Sequence, residues 1–225
     1  MAPPGHRRML CRSGDRQNAG MPSDLHAPQA AEADPVAWTD TLLQSRRTTL
    51  PKRLTGPGPS AAQRQAILRA AASAPDHDQL LPWRFIEVPA AARTALGQAF
   101  ADALLARDPQ ASADELSQAR EKAERSPWLL LAVVRSTDQH PDVPAAERVL
   151  SAGAAIQNML LMATAMGLGS SLTSGKALGA SALRQLFGLQ PGEEALCFVN
   201  VGHVASQRPP RARPDVEAYF SVLQV

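Results

Sequence analysis

Cysteine is nearly absent from this chain of 225 residues, which has only Cys11 and Cys197. They stand far apart in sequence, so a disulfide framework and a four-thiolate zinc site are excluded. Cys197 falls in the apolar run Ala195-Leu196-Cys197-Phe198-Val199 and reads as a buried, inert thiol. Cys11 falls in a polar stretch with no base beside it. Aromatic residues are also scarce, at 4%, which leaves few rings to stack on bases. Charge of one sign is missing too. Twenty-three basic side chains against 21 acidic ones leave a formal net charge of +2, which argues against nucleic acid or an anionic membrane as the main partner.

A clean membrane-length apolar run is also lacking. The best candidate, Ala145 to Met166, carries Glu147, Arg148, Gln157 and Asn158, which are costly in lipid. No long apolar run follows Arg7 and Arg8, so a secretory signal is not expected, and the expected compartment is cytoplasmic. The five histidines, His6, His26, His77, His140 and His203, include no pair at i, i+4 and no accompanying cysteine cluster, so no metal site is expected. There is no Gly-x-Ser-x-Gly elbow and no Gly-x-x-x-x-Gly-Lys-Ser/Thr loop. Gly167-Leu168-Gly169 follows a helical pattern, the wrong context for a dinucleotide turn.

What is present is a globular composition, 44% hydrophobic and 20% charged. Residues 1–34, rich in Pro, Gly, Arg and Ala, have no sustained apolar period and read as a disordered tail. Its arginines are offset by Asp15, Asp24 and Glu32, which weakens a reading as a nucleic-acid-binding arm. Order is expected from Asp34-Pro35, an N-cap followed by a proline suited to the first helical position. That helix runs to about Ser45. A second helix begins at Ser60, with Gln63 three residues on as a capping box. Helices are expected over Ala90 to Ala106, Ala113 to Glu124, Ala145 to Met166 and Ser181 to Phe187. Strands are expected at Phe85 to Val88, Trp128 to Val134, Ser170 to Thr173 and Ala195 to Val201. Helices and strands mix without regular alternation, which favours an α+β fold. The apolar end, with Tyr219, Phe220, Val222 and Leu223, should dock on something.

Three loop segments carry chemistry. Ser45-Arg46-Arg47-Thr48 puts two guanidiniums and two hydroxyls at a helix end, a donor set suited to phosphate. Ala74-Pro75-Asp76-His77, followed by Pro82-Trp83-Arg84-Phe85, puts a His, a Trp and an Arg on a loop feeding a strand. The stretch from Gly167 to Gly175 is small and hydroxyl-rich, so backbone could approach a ligand closely. Each has a plainer reading as solvated surface or simple connection.

Taken in order, and with the Ser151-Ala152-Gly153 helix between them, these segments resemble the flavin-dependent nitroreductase family, most of all its short single-domain bacterial branch. The resemblance covers roughly Asp40 to Phe220. It implies an α+β nitroreductase-like fold: a central, mostly antiparallel sheet flanked by helices, with the long helix at a homodimer interface. Residues 35–225 would form the FMN-binding domain and its C-terminal arm. It implies FMN as cofactor, NADH or NADPH as electron donor, and a nitroaromatic, quinone or related small acceptor served by ping-pong exchange. No nucleic acid or membrane partner is expected.

By the same resemblance Arg46, Arg47 and Thr48 would hold the FMN phosphate and ribityl chain. Ser73 and His77 match positions that reach the flavin from the other subunit; the family often has Arg where Ser73 stands. Leu172, Thr173 and Ser174 would line the flavin. Met162, Ala163, Thr164, Ala165, Met166 and Gly167 match the stretch associated with the nicotinamide donor. No protein nucleophile is implied, since the flavin carries the chemistry.

One departure stands out. The family's exit segment often carries Arg or Lys where Thr173 stands, and Lys176 is the nearest substitute. Losing one charge-assisted bond costs about 1.5–3 kcal/mol, roughly ten- to a hundredfold in affinity. The alternative expectation is therefore a degenerate flavin-fold dimer that serves as a binding or regulatory protein without reductase activity.

Overall fold

The computed structural model describes residues 34–137, 140–206 and 212–225. The chain divides into two units, residues 1–34 and 35–225, and the fold described here is that of the second. The expected tail and Cys11 lie outside the described residues.

Five antiparallel strands form one sheet: β1 (Leu54–Thr55), β2 (Trp83–Glu87), β3 (Trp128–Arg135), β4 (Gly169–Thr173) and β5 (Glu193–Val204). The order is β1-β5-β3-β2, with β4 also paired to β5. β5 runs longer than its apolar core predicts. Glu193 to Val201 pairs with β3 along one side, while on the other side Phe198 to Gly202 pairs with β4 and His203 and Val204 with β1. β1 is too short to leave a period in the sequence, and its residues read there as loop.

β3 is buried from Trp128 to Val134, as a continuous apolar run demands. Alternation sends its side chains to two cores. Trp128, Leu130, Ala132 and Val134 join α2 (Ala61–Ala71) and α5 (Ala145–Ala165) on one face. Leu129, Leu131 and Val133 join α3 (Arg93–Arg107) and α6 (Ser181–Leu186) on the other. α4 (Ala113–Glu121) packs along α3. There a Cβ on Gly97 would stand 2.9 Å from the Arg120 carbonyl oxygen, so only glycine permits that approach.

The capping box of α2 forms, with Gln63 N donating to Ser60 Oγ at 3.3 Å and Ser60 N to Gln63 Oε1 at 2.9 Å. A second box, Ser112 with Glu115, starts α4. The helix expected to reach Glu124 loosens to a 3₁₀ turn after Glu121. α5 buries Ala152, Ala155, Ile156, Met159, Leu160 and Ala163 and leaves Val149 and Leu150 exposed. α1 (Pro35–Ser45) buries none of its residues, and Trp38 is exposed. The apolar end behaves alike: Tyr219, Phe220, Val222 and Leu223 are all exposed. No described helix is long and apolar enough to cross a membrane.

Candidate functional site

α1 ends at Ser45, and the next residues lie along the free side of β4. Thr48 makes a parallel bridge to Ser170, and Thr49 N donates to the Ser170 carbonyl at 2.8 Å. The approach is close. A Cβ on Gly169 would stand 2.4 Å from Val204 Cγ2 and 3.1 Å from Thr49 Oγ1, which accounts for glycine at the head of the strand. The first and third sequence segments, far apart in the chain, thus meet edge to edge.

Arg46 and Arg47 are half-buried beside this edge. Arg47 Nη1 donates to the carbonyls of Gln44 and, at 3.1 Å, Arg46. Arg213 arrives from the C-terminal segment, and its Nη2 donates to the Arg46 carbonyl at 3.0 Å. The Arg46 guanidinium has no hydrogen-bond or ion-pair partner among the described residues. It is held below its ordinary pKa, first by burial and then by the charges of Arg213 and Arg47. Three cations therefore crowd one spot, with no carboxylate among the described residues paired to Arg46, an arrangement that an anion relieves.

The hydroxyls of Ser170 and Ser171 lie buried with no partner. Thr173 Oγ1 accepts from Asn200 Nδ2 at 3.1 Å. Leu172 lies opposite Val199, on the α5 side, and Thr173 opposite Phe198, on the α3 side. Adjacent strand residues face opposite ways, so Leu172 and Thr173 do not present side chains to one surface. Ser174 is exposed beyond the strand end.

The second segment lies elsewhere. His77 Nδ1 sits 2.6 Å from Glu147 Oε1, at the start of α5, and this pairing raises the His77 pKa. Ser151 Oγ, also on α5, donates to the Pro75 carbonyl. Ser73, just beyond α2, is exposed. The Thr48–Ser170 edge follows the other end of α5, roughly 27 Å along the helix axis from Glu147 at 1.5 Å per residue. One chain does not bring Ser73 and His77 to Arg46. Nearby, Asp78, Gln79 and Leu81 hold positive φ of 48°, 57° and 46°. Strain of this kind in non-glycine residues needs support from its surroundings. Leu81 N, donating to Asp76 Oδ2 at 2.7 Å, supplies part of it.

In the stretch expected to meet the donor, Ala163 has no exposed surface, and Met162 and Met166 pack on the core. Thr164 Oγ1 donates to the Leu160 carbonyl, while Ala165 and Gly167 are exposed. Cys197 is buried, which pushes its pKa up to about 11, so the expected inert thiol stands. Among the described residues no three His, Cys, Asp or Glu side chains gather as metal ligands.

The sequence alone does not place Arg213 at this site. The signal available was the basic spelling Arg211-Ala212-Arg213 between prolines, which without the fold has no visible relation to Arg46.

Comparison with known proteins agrees with this architecture. The sequence pattern of the nitroreductase family matches residues 43–203. A Haemophilus influenzae protein named "Putative NAD(P)H nitroreductase" is 33% identical over 162 residues, 72% of this chain and 86% of that protein. YdjA of Escherichia coli K12, with the same description, is 31% identical over 72% of this chain and 85% of its own. Among solved structures, the nitroreductase-like family protein from Bacillus cereus superposes with a TM-score of 0.69 at 18% identity, covering 82% of this chain and 95% of that one. The NADPH:FMN oxidoreductase from Vibrio harveyi, solved with NAD+, gives 0.63 at 20% identity, covering 83% and 77%. The antiparallel sheet, the segment docked on β4 and a family match running from the end of α1 to the end of β5 coincide, and this chain belongs to the nitroreductase family.

Proposed function

We propose that the protein is an FMN-dependent NAD(P)H oxidoreductase that reduces a nitroaromatic, quinone or related small acceptor. The observation that carries this reading is the cluster of Arg46, Arg47 and Arg213 beside β4. Its chemistry suits FMN: guanidiniums recognise a phosphate through charge-assisted bonds, and the buried Ser170 and Ser171 hydroxyls, one on each face of β4, lack partners close to the cluster. Thr48 adds an exposed hydroxyl for the ribityl chain. Thr173 and Ser174 would border the ring, with Asn200 holding the Thr173 hydroxyl in place, while Leu172, whose side chain faces the other way, would meet it through its backbone.

When bound, FMN supplies two-electron exchange between the nicotinamide donor and the acceptor, in ping-pong order. For a quinone the balance is NAD(P)H + H⁺ + quinone giving NAD(P)⁺ + hydroquinone. The chain's own residues anchor, orient and shield, and no side chain needs to act as nucleophile.

We further infer a homodimer built from residues 35–225. Trp38 on α1, Val149 and Leu150 on α5, and Tyr219, Phe220 and Leu223 in the C-terminal arm form exposed apolar surface that a second copy would cover. A second copy would also carry its Ser73 and His77 to the Arg46 site, which one chain leaves at the far end of α5.

The test is the absorption spectrum of the purified protein before and after adding FMN and desalting, followed by NAD(P)H oxidation with a quinone. Flavin retained near one per chain, with turnover, supports the reading. A colourless protein that retains no FMN overturns it in favour of a binding or regulatory dimer, with Thr173 in place of the usual cation as the first residue to restore.

A further inference from the structure

The C-terminal arm, residues 212–225, has very little holding it to the domain. Every one of these residues is exposed, and none joins either apolar core. Among the described residues the arm makes one hydrogen bond to the rest of the chain, from Arg213 Nη2 to the Arg46 carbonyl at 3.0 Å. Its other hydrogen bonds stay within the turn from Asp215 to Phe220. The one tie falls in unfavourable electrostatic surroundings. The charges of Arg213 and Arg47 both act on Arg46, and among the described residues no carboxylate pairs with any of the three. Asp215 and Glu217, the arm's own acids, make no ion pair either. A lone exposed hydrogen bond contributes little, and like charges at its two ends oppose it.

A phosphate dianion reverses the sign of that contact. Accepting from both guanidiniums, it turns a repulsion between body and arm into a bridge. We propose that the arm is a strap closed by a phosphate dianion at the Arg46–Arg213 cluster, so that ligand binding and arm closure are one linked equilibrium. Linkage makes the effect reciprocal: the factor by which phosphate favours closure is the factor by which the closed arm tightens phosphate. Tyr219 and Phe220 follow a few residues beyond Arg213, so fixing Arg213 also limits where these exposed rings can reach. The phosphate of FMN and free phosphate share this chemistry. Riboflavin, which has the ring without the phosphate, lacks it. For FMN the inference rests on the proposed function, and for inorganic phosphate it rests on the cluster alone.

The experiment is tryptic cleavage of the full chain. Trypsin has one good bond at the root of the arm, Arg211–Ala212, because Arg208 and Arg213 are each followed by proline. Cleavage there follows the population of the open arm when opening is fast. The natural protein and Arg213→Gln are digested with FMN, riboflavin, inorganic phosphate, or sodium chloride at matched ionic strength. Mass spectrometry follows release of residues 212–225. Flavin fluorescence sets FMN to equal occupancy in both proteins, and a circular dichroism melt checks the fold of the variant, whose substitution site is exposed. FMN should slow release about tenfold in the natural protein and leave Arg213→Gln unchanged, as one charge-assisted bridge to an exposed arginine implies. Slowing by FMN alone supports the strap with the flavin as its ligand, and slowing by inorganic phosphate as well supports it with phosphate as such. Equal slowing by riboflavin or by chloride overturns it, since ring contact or screening then suffices. So does slowing that persists in Arg213→Gln, and so does release that neither FMN nor phosphate slows. If the natural protein retains no FMN, the proposed function fails. Inorganic phosphate then decides the strap: slowed release supports it, and unchanged release overturns it.

Discussion

Arg84 and Arg46 are both arginines at the margin of the same sheet, yet their surroundings differ. Arg84 on β2 holds Glu193 in a two-pronged pair, Nε to Oε1 and Nη2 to Oε2, each 2.8 Å. The carboxylate is nearly buried and also accepts Gln190 N at 3.0 Å. Every charge there has an internal answer. Arg46 has none, and its nearest charges are two more arginines. Matched charge secures the fold, whereas unmatched charge held in a half-buried place costs stability and is consistent with a ligand.

The sharpest way to break the comparison is to remove the unmatched cluster. Arg46→Ala with Arg213→Ala should weaken FMN retention by about a hundredfold or more, while stability in urea holds or rises because repulsion is relieved. Desalting followed by flavin absorbance reads the first, and a urea titration the second. A double variant that unfolds while keeping its flavin would invert the assignment.

Arg84→Met should do the opposite. Glu193 is left nearly buried and unpaired, which costs about 2 kcal/mol after allowing for the exposed side of Arg84, and flavin retention stays as it was. The pair holds Glu193 below the ordinary carboxylate value of 4.5. Its contribution is therefore present above that pH and lost as pH falls toward the depressed folded value. Urea midpoints for the natural protein should fall on the acid side of 4.5, with a flatter profile in Arg84→Met.

A smaller effect is expected from Thr173→Arg, which places a cation where the family often has one. Flavin retention should rise up to about tenfold. No rise would mean that the phosphate lies out of reach of this strand end.

The smallest concerns His77. Glu147 raises its pKa by hydrogen bond and charge, so the pairing contributes below pH 6.5 and fades as pH rises through the raised folded value. Glu147→Gln should return the His77 titration, followed by proton NMR, toward 6.5. An unmoved midpoint would remove Glu147 as its partner.

Much of the fold was legible because its signals are local. The capping box at Ser60, the apolar run from Trp128 to Val134 and the glycine exit after α5 are each written within a few residues. Their physics, a satisfied N–H, a strand buried on both faces and a left-handed turn, acts over the same few residues. Gly167, with φ of 72°, is that turn. Less legible were β1, whose two residues have no room for a period, and the reach of β5 to Glu193 and Val204, where polar residues continue a ladder that partners sustain.

The sequence by itself determined the α+β class, the ordered motifs that mark the family, and Arg46, Arg47 and Thr48 as a candidate phosphate site. Tertiary structure alone decided that Arg213 joins Arg46, that Thr48 lies against Ser170, and that His77 stands at the far end of α5. The reason is the range of the forces involved. Helix caps and strand patterns are enforced by neighbours in the chain, whereas charge clusters are enforced by distance in space, and only the sheet brings residue 46 to residue 213.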